Sequence, residues 1–204
     1  MSLEFQSKLN QLLVLGKKNG LFFSDWLKKK GYSDQLIRKY RQSGWLSSLD
    51  KGVMYRTGDK LSAIVSLSCY NEQLEKEVRI AAHSALELFG FNHYVPMGKP
   101  ILMVACSCSI VPKWMLKDCF DRTFKVFSTK TIEIPQTSNI NIEGVNLLVS
   151  SPEQAFMECL LLAKDQYNYM DLYYLMEQLT SMVAGVLQIL LENIKNQRVK
   201  RIFL

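Results

Sequence analysis

The sequence predicts an α+β protein in which an N-terminal winged helix-turn-helix is followed by a small mixed α/β domain. Two observations carry this prediction. Residues 23–57 show the signals of a helix, a short turn and a second helix, followed by two apolar runs around a turn. Residues 79–204 show apolar runs of strand length, separated by segments with helical periodicity.

Two helices joined by a short turn are predicted within residues 24–43. The first, Ser24–Lys30, is closed by Gly31, because glycine adopts the positive φ of a helix end without steric cost. Ser33 is the expected N-cap of the second helix, since its hydroxyl can accept a hydrogen bond from a free backbone N–H. The second helix is predicted to run to about Ser43 and to be closed by Gly44.

The second helix has an apolar face and a polar face. At about 100° per residue, Leu36, Ile37 and Tyr40 share one side, which we expect to face the core. The other side suits a DNA major groove, because Arg pairs with guanine, Gln pairs with adenine, and both Lys and Arg bind phosphate. This polar side carries Gln35, Arg38, Lys39 and Gln42.

A β-hairpin is expected after this helix, because Asp50-Lys51-Gly52 is turn-forming sequence between two apolar runs. Lys51 at the tip and Arg56 on the second strand are predicted to meet the DNA backbone. The simpler alternative is a small helical packing unit whose basic face is only solvated. The full set of predicted DNA-binding residues is Ser33, Gln35, Arg38, Lys39, Gln42, Lys51 and Arg56.

The positive charge of the chain is concentrated in the predicted reader. Residues 1–60 hold 12 Lys or Arg against 5 Asp or Glu, whereas residues 61–204 hold 13 against 14. The net charge of +6 therefore comes entirely from the N-terminal segment. Localised positive charge provides the counterion release that dominates nucleic-acid affinity.

Three segments are predicted along the chain: a DNA-binding domain over 1–60, a connecting helix over 61–78, and a mixed α/β domain over 79–204. A helix over Glu4–Leu15 should pack under Trp26, Leu27 and Tyr40. The aromatic residues of the first domain are expected in its core rather than in a base-stacking platform. They are Phe22, Phe23, Trp26 and Trp45.

The second domain is predicted to be a small mixed sheet with helices. Ser151 is an expected N-cap, with Pro152 at the first helical position and Gln154 at the reciprocal capping position. The predicted strands are Ile101–Ala105, Phe124–Phe127 and Val145–Val149, with a further short one at 92–95. The predicted helices are Ser84–Phe89 before Gly90, Ser151–Leu162, Met170–Met182 and Val183–Ile194.

The five cysteines are odd in number and lie among apolar neighbours, so we predict reduced, mostly buried thiols. Cys106 and Cys108 are two residues apart, closer than the usual zinc spacing. The only histidines, His83 and His93, are expected to be structural or surface residues. The sequence therefore predicts neither a metal nor a cofactor.

Several other classes of function lack a sequence signal. We find no Gly-rich phosphate loop, nucleophile elbow or carboxylate pair on a shared face, so an enzyme is not predicted. No apolar run approaches the ~20 residues of a membrane span, and no signal peptide precedes the first helix, so a cytoplasmic protein is expected. Solvation is the default for a second basic cluster, formed by Arg198, Lys200 and Arg201.

Four segments together resemble a known family. They are GYSDQLIRKYRQSGWLSSLDKGVMYRTGD, HSALELFGFNHYV, VSSPEQAFMECL and RVKRIFL. Their order and spacing, spread from about Trp26 to Leu204, are similar to those of the antitoxins of the AbiE type IV toxin–antitoxin (abortive infection) systems. Two departures stand out: Ala81-Ala82 occupies a place where relatives tend to carry paired glycines, and the chain ends after KRIFL, where relatives continue. A changed backbone approach and a shorter or truncated chain are therefore expected.

The resemblance implies a bacterial, cytosolic phage-defence protein with two tasks. The winged domain would bind inverted repeats in double-stranded promoter DNA and repress its own operon. The second domain would counter a cognate nucleotidyltransferase-like toxin without forming a stable complex with it. No membrane partner is implied.

Two alternatives stay open beside this function. The first is a winged-helix transcription regulator whose C-terminal domain senses a small ligand, which needs a pocket between the sheet and the closing helices. The second is an enzyme in the second domain, which the lack of converging titratable residues disfavours.

Overall fold

A computed structural model describes residues 8–91, 98–107, 110–163, 167–180 and 182–203. The chain divides into two compact units. The first unit comprises residues up to Lys76 together with Pro112–Asp121, and the second comprises Glu77–Val111 and the residues from Arg122 onwards. The strand predicted at 92–95 lies outside the described residues.

Within its described part, the first unit opens with the order helix, strand, helix, helix, strand, strand. This order confirms the predicted helix–turn–helix and hairpin, and it is consistent with a winged helix-turn-helix. The elements are α1 (Lys8–Leu15), β1 (Phe22–Phe23), α2 (Ser24–Lys29), α3 (Asp34–Gln42), β2 (Leu46–Asp50) and β3 (Val53–Arg56).

Strand β1 is an element that the sequence patterns did not predict. It pairs antiparallel with β3, so that the small sheet has the order β1-β3-β2. Buried Gln73 fixes β1 from outside the sheet, because its side-chain oxygen accepts from Phe23 N at 2.9 Å and its amide donates to Leu21 O at 2.8 Å. Two residues are too few to display a strand period.

The core of this unit lies where the three helices meet the small sheet. The predicted packing of α1 near Trp26, Leu27 and Tyr40 is confirmed. Gly16 follows α1 in close contact with Phe22, since a Cβ at Gly16 would lie 2.1 Å from the Phe22 ring. The buried cluster consists of Leu12, Phe22, Leu27, Tyr32, Ile37, Tyr40, Leu46 and Met54.

Helix α4 (Ala63–Leu74) is shorter than the connecting helix predicted over 61–78. Its start is capped twice: the Ser62 hydroxyl accepts from Val65 N at 3.3 Å, and an Asp121 carboxylate oxygen accepts from Ala63 N at 2.7 Å. Its residues 63–70 are all buried, so α4 is part of the first unit's core.

Residues 112–121 also belong to the first unit, although the sequence placed them in the second domain. They contain a 3₁₀ helix, Lys113–Leu116. Trp114 is buried there, edge-on to Phe23 and Phe120 and 5.5 Å from the Tyr70 ring. Aromatic packing between residues distant in sequence explains why this segment belongs to the first unit, and no local sequence pattern predicts it.

A mixed five-stranded sheet with the order β6-β5-β4-β8-β7 forms the second unit. Pairs β5–β6 and β4–β8 are parallel, and the other two are antiparallel. Three strands are confirmed predictions, whereas β4 and the polar edge strand β7 were not predicted. The strands are β4 (Arg79–Ile80), β5 (Ile101–Cys106), β6 (Thr123–Ser128), β7 (Thr137–Ile142) and β8 (Val145–Ser150).

Helices in the described part of the second unit lie mostly where the sequence predicted them. The predicted closing pair is confirmed as α7 and α8, with shorter bounds, and α9 is an additional short helix. The helices are α5 (Ala82–Leu88), α6 (Pro152–Leu161), α7 (Tyr169–Gln178), α8 (Ala184–Asn193) and α9 (Gln197–Phe203).

A buried ion pair lies at the centre of the second unit. Arg79 Nη2 donates to Glu158 Oε1 at 2.9 Å, and the Glu158 side chain is fully buried. The same carboxylate oxygen accepts from the Ser150 hydroxyl at 3.1 Å and from Gln154 Nε2 at 2.8 Å. The other oxygen accepts from Ala82 N at 3.0 Å. A buried charge needs such a complete set of partners.

Ala82, whose N–H donates to this carboxylate, adopts an unusual backbone conformation. Its φ is +49°, in the left-handed region that favours glycine, and it is completely buried. The departure from paired glycines at Ala81-Ala82 therefore falls where glycine would adopt the backbone at lower cost.

The start of α6 confirms one predicted cap and corrects another. The Ser151 hydroxyl accepts from Gln154 N at 3.3 Å, as an N-cap does. The reciprocal cap by Gln154 was wrong, because its side-chain oxygen instead accepts from Gln136 N and its amide donates to Ser150 and Glu158. Burial beside Glu158 thus overrides the local capping pattern.

Cys69, Cys119 and Cys159 form no disulfide. Cys69 and Cys159 are buried as predicted, whereas Cys119 is exposed. Cys106 corrects the prediction of reduced thiols, since it is disulfide-bonded. In the described residues, none of the helices has the length and hydropathy needed to cross a membrane.

Candidate nucleic-acid interface

Helix α3 is held at its start by short-range contacts. Ser33 is its N-cap, as predicted, and its hydroxyl accepts from Leu36 N at 3.3 Å. Gly31, which ends the preceding turn, has a φ of +83°. Lys28 of α2 pairs with Asp34 at 3.0 Å, although both side chains are largely exposed. These contacts hold the first turn of α3 in place.

The predicted division of α3 into two faces is confirmed. Ile37 and Tyr40 are buried in the core, and Leu36 packs against it. Gln35, Arg38, Lys39 and Gln42 are all exposed. The structure therefore presents the predicted polar side of α3 to solvent.

The β2–β3 hairpin presents Lys51 at its tip. Gly52 adopts a φ of +74° and its carbonyl accepts from Ser24 N at 2.8 Å, which docks the turn against the start of α2. A side chain at Gly52 would meet the Ser24 hydroxyl at 2.8 Å. Asp50 closes the turn by accepting from Lys51 N at 2.8 Å. Lys51 is thus an exposed cation on a fixed turn.

A groove of ≈ 430 Å³ lies between α3 and the hairpin tip. Arg38, Arg41 and Lys51 line it together with Asp34. Arg41 was not among the predicted DNA-binding residues, although it lies three residues after Arg38 and hence on nearly the same side of the helix. The groove thus joins two predicted DNA-binding residues with one that was overlooked.

The cations of the first unit fall into two groups. Several are used internally: Lys17 pairs with Glu72, Lys28 with Asp34, and Lys29 with Glu75. By contrast, the side chains of Arg38, Lys39, Arg41 and Lys51 make no hydrogen bond or ion pair with any residue that the structure describes. Other exposed lysines of the first unit, such as Lys18 and Lys60, also lack such a partner among the described residues. What distinguishes the cations of α3 and the hairpin tip is the groove that three of them share.

Arg56, unlike the other predicted cations, is bonded within the protein. Its guanidinium Nη2 donates to Gly16 O at 2.7 Å and also to Leu13 O, so it satisfies the last carbonyls of α1. The side chain is only partly exposed. We therefore leave Arg56 out of the candidate interface and assign it to the positioning of α1.

Trp45 also departs from its prediction. Phe22 and Phe23 are buried and Trp26 packs against the core, as expected. Trp45, however, is 49% exposed at the start of the hairpin. The residue directly follows Gly44, which leaves the helix with a φ of +76° and turns the next side chain outward.

The remaining titratable groups do not assemble into a second site of the same kind. Among the described residues, no three His, Cys, Asp or Glu side chains are grouped as metal ligands would be. His83 Nδ1 lies 2.6 Å from the Tyr167 hydroxyl. Burial, with Lys125 nearby, lowers the pKa of His83 to about 4, so the ring is neutral at pH 7. His83 is therefore a packed structural histidine, as predicted.

A helix-turn-helix with a basic, solvent-facing second helix defines the class of DNA-binding transcriptional regulators. Comparison with family models agrees. Residues 5–97 match the model described as "Transcriptional regulator, AbiEi antitoxin N-terminal domain", and residues 99–204 match "Transcriptional regulator, AbiEi antitoxin, Type IV TA system". The chain belongs to the AbiEi antitoxin family of transcriptional regulators. None of the curated proteins matches it significantly.

Proposed function

We propose that α3 and the hairpin tip bind double-stranded promoter DNA, with α3 in the major groove and Lys51 on the backbone. The observation that carries this proposal is the set of exposed cations without partners on α3 and the hairpin tip, three of which line one groove. An exposed cation that forms no ion pair within the protein can pair with a phosphate, and this pairing releases counterions from DNA.

The side chains of α3 divide into two stripes with different proposed tasks. At 100° per residue, Arg38 and Arg41 form one stripe, on the hairpin side of α3. The second stripe lies about 100° further around the helix axis and consists of Gln35, Lys39 and Gln42. A phosphate approaching the groove would meet Arg38, Arg41 and Lys51 together. The other stripe is then left for base edges, where glutamine can read adenine. The Ser33 hydroxyl acts as the helix cap and keeps the first turn of α3 in place.

At the level of the operon, we propose that the protein binds inverted repeats in its own promoter and represses it. The second unit would counter a cognate nucleotidyltransferase-like toxin. Membership of the AbiEi antitoxin family supports both tasks in general terms. A protein that binds promoter DNA acts in the bacterial cytoplasm, which is where we place it.

Binding of labelled promoter DNA, measured by fluorescence anisotropy, tests the proposed interface. Arg38→Ala should weaken binding by roughly 1–3 kcal/mol if Arg38 grips a guanine, and the loss should then depend on one base pair. If Arg38 holds phosphate, as its place in the groove favours, the loss should be similar for specific and scrambled DNA. Gln35→Ala and Gln42→Ala should alter sequence preference more than total affinity.

The matched control for this experiment is Lys60→Ala. Lys60 is also exposed in the first unit, but it lines a separate cavity with Cys119 and Asp121. Its removal should leave DNA affinity nearly unchanged. Equal affinities for the wild type, Arg38→Ala and Lys60→Ala would overturn the assignment of α3 as the reading helix.

The antitoxin task needs a separate test. Co-expression of the chain with a nucleotidyltransferase-like toxin encoded beside it should restore bacterial growth. A variant that carries Arg38→Ala, Arg41→Ala and Lys51→Ala should still restore growth while failing to repress the promoter, if the two tasks belong to different units. Loss of both activities in a folded variant would contradict that separation.

A further inference from the structure

An apolar groove in the second unit is not used by the proposed DNA interface. It lies among α6, α7 and α9 and has a volume of ≈ 220 Å³. Its walls include Phe156 and Leu160 of α6, Leu172 and Met176 of α7, and Phe203 of α9. These positions fall at helical spacing on each helix, so the groove is a built feature of their packing.

The groove is open to a ligand rather than closed within the core. Phe156 and Leu172 form a buried floor, whereas Tyr169, Tyr173 and Met176 on its rim are 45%, 55% and 42% exposed. A single water molecule needs only about 10–15 Å³ of such space, so the groove is far larger than a water site. This is enough for a short alkyl chain or a single aromatic ring.

A cation lies at one side of this apolar space. Arg198 Nη2 donates to the hydroxyl of Tyr169, which lines the groove, at 3.0 Å and to Ala163 O, also at 3.0 Å. Arg198 is therefore held in place and is not simply solvated. A guanidinium has five N–H donors, so most remain available after these two bonds. Arg198 and the groove residue Ile202 are four residues apart and thus on the same side of α9.

We propose that this groove binds an apolar monocarboxylate, with the hydrocarbon part among the aromatic walls and the carboxylate on Arg198 and the Tyr169 hydroxyl. Apolar walls with few fixed polar groups are typical of small-molecule sites. Arginine and a hydroxyl are both donors that carboxylates prefer. A neutral apolar ligand would leave Arg198 unused, and a simple anion would leave the groove empty.

Octanoate is a suitable probe, and octanol and acetate are its matched analogues. Methyl-¹³C methionine spectra of the full chain provide the readout, because the protein has nine methionines. Met176 lines the groove, whereas Met170 is exposed on the same helix and does not line it. Octanoate should shift the Met176 signal and leave Met170 unchanged, octanol should bind more weakly, and acetate should have no effect.

Two pairs of variants separate the carboxylate contact from the apolar contact. Arg198→Gln should weaken octanoate binding ~10-fold or more, as expected for loss of a charge-assisted hydrogen bond, with little change for octanol. Arg201→Gln is its control, since Arg201 is an exposed arginine of the same helix without Arg198's hydrogen bond to the groove residue Tyr169. Met176→Trp should block both probes, whereas Met170→Trp should block neither.

Several results would overturn the proposal. Equal binding of octanoate and octanol, with no effect of Arg198→Gln, would show a groove without carboxylate recognition. Failure of octanoate to shift Met176 at millimolar concentration would exclude a small acid as the occupant. Self-association that Met176→Trp abolishes, without octanoate binding, would assign the groove to a second copy of the chain instead.

Discussion

The side chains of Arg38, Arg41 and Lys51 in the first unit line an open groove and are bonded to no other described residue, whereas those of Arg79 and Glu158 in the second unit are sealed in the core and bonded to each other at 2.9 Å. Desolvating a charge costs several kcal/mol unless it is fully paired. Charges kept in water without partners stabilise the fold very little. The first set is therefore available to a partner molecule, and the second set serves the fold.

The comparison also separates cations within the first unit. Arg56 and Lys51 both come from the hairpin, only five residues apart in sequence. Arg56 is partly buried and bonded to carbonyls of α1, whereas Lys51 is exposed at the tip. Side-chain type alone thus does not identify a DNA-binding residue, because one cation of this hairpin is bonded within the fold and the other is exposed to solvent.

The largest expected effect concerns the buried pair. Glu158→Gln would leave Arg79 charged and without its counterion, and we expect the free energy of unfolding of the second unit to fall by roughly 3–5 kcal/mol. Urea unfolding followed by far-UV circular dichroism measures this change. Glu177→Gln, at an exposed position, is the control and should stay within ~0.5 kcal/mol of the wild type. Equal stability of the two variants would contradict a structural role for the pair.

A smaller effect is expected at Arg56. Arg56→Gln removes the charged donor to Gly16 O and Leu13 O, so stability should fall by roughly 1.5–3 kcal/mol. Lys51→Gln is its partner experiment and should leave thermal unfolding nearly unchanged. At a temperature where both variants are folded, Lys51→Gln should weaken DNA binding more than Arg56→Gln does. If Arg56→Gln were as stable as the wild type but bound DNA more weakly, Arg56 would belong to the DNA interface.

A third expected effect is a pH dependence of stability that comes from His83. Its pKa is lowered from an ordinary value of 6.5 to about 4 by burial, with Lys125 adding to the effect. Between these values the unfolded chain binds a proton that the folded chain does not, so stability should fall as the pH drops from 6.5 to 4. Replacing His83 with Gln, which can still bond to Tyr167, should make this decline shallower. Parallel pH profiles for both proteins would contradict the buried neutral ring.

Local sequence signals predicted much of the first unit. Ser33, Gly31 and Gly44 mark helix ends through their own backbone preferences, and the spacing of Ile37 and Tyr40 fixed the inner face of α3. The same reasoning found the Ser151 cap and the strands with apolar runs. These features depend on neighbours within a few residues, which is why a single sequence displays them.

The features that were not predicted depend on partners far along the chain. The carbonyls that Arg56 meets lie about 40 residues earlier, and residues 112–121 join the first unit through Trp114. Strand β4 has two residues and β7 is polar, so neither shows an apolar period. Arg41 was not predicted, because its place beside Lys51 in one groove depends on the hairpin tip further along the chain.

The most direct test of the central claim is the salt dependence of promoter binding by the variant Arg38→Gln, Arg41→Gln, Lys51→Gln. Each phosphate contact contributes about 0.9 to the slope of log K against log salt concentration. If these three exposed cations bind phosphate, the slope should become shallower by roughly 2.7, while circular dichroism stays that of the wild type. A folded variant with the wild-type slope and affinity would contradict the claim that this groove faces DNA.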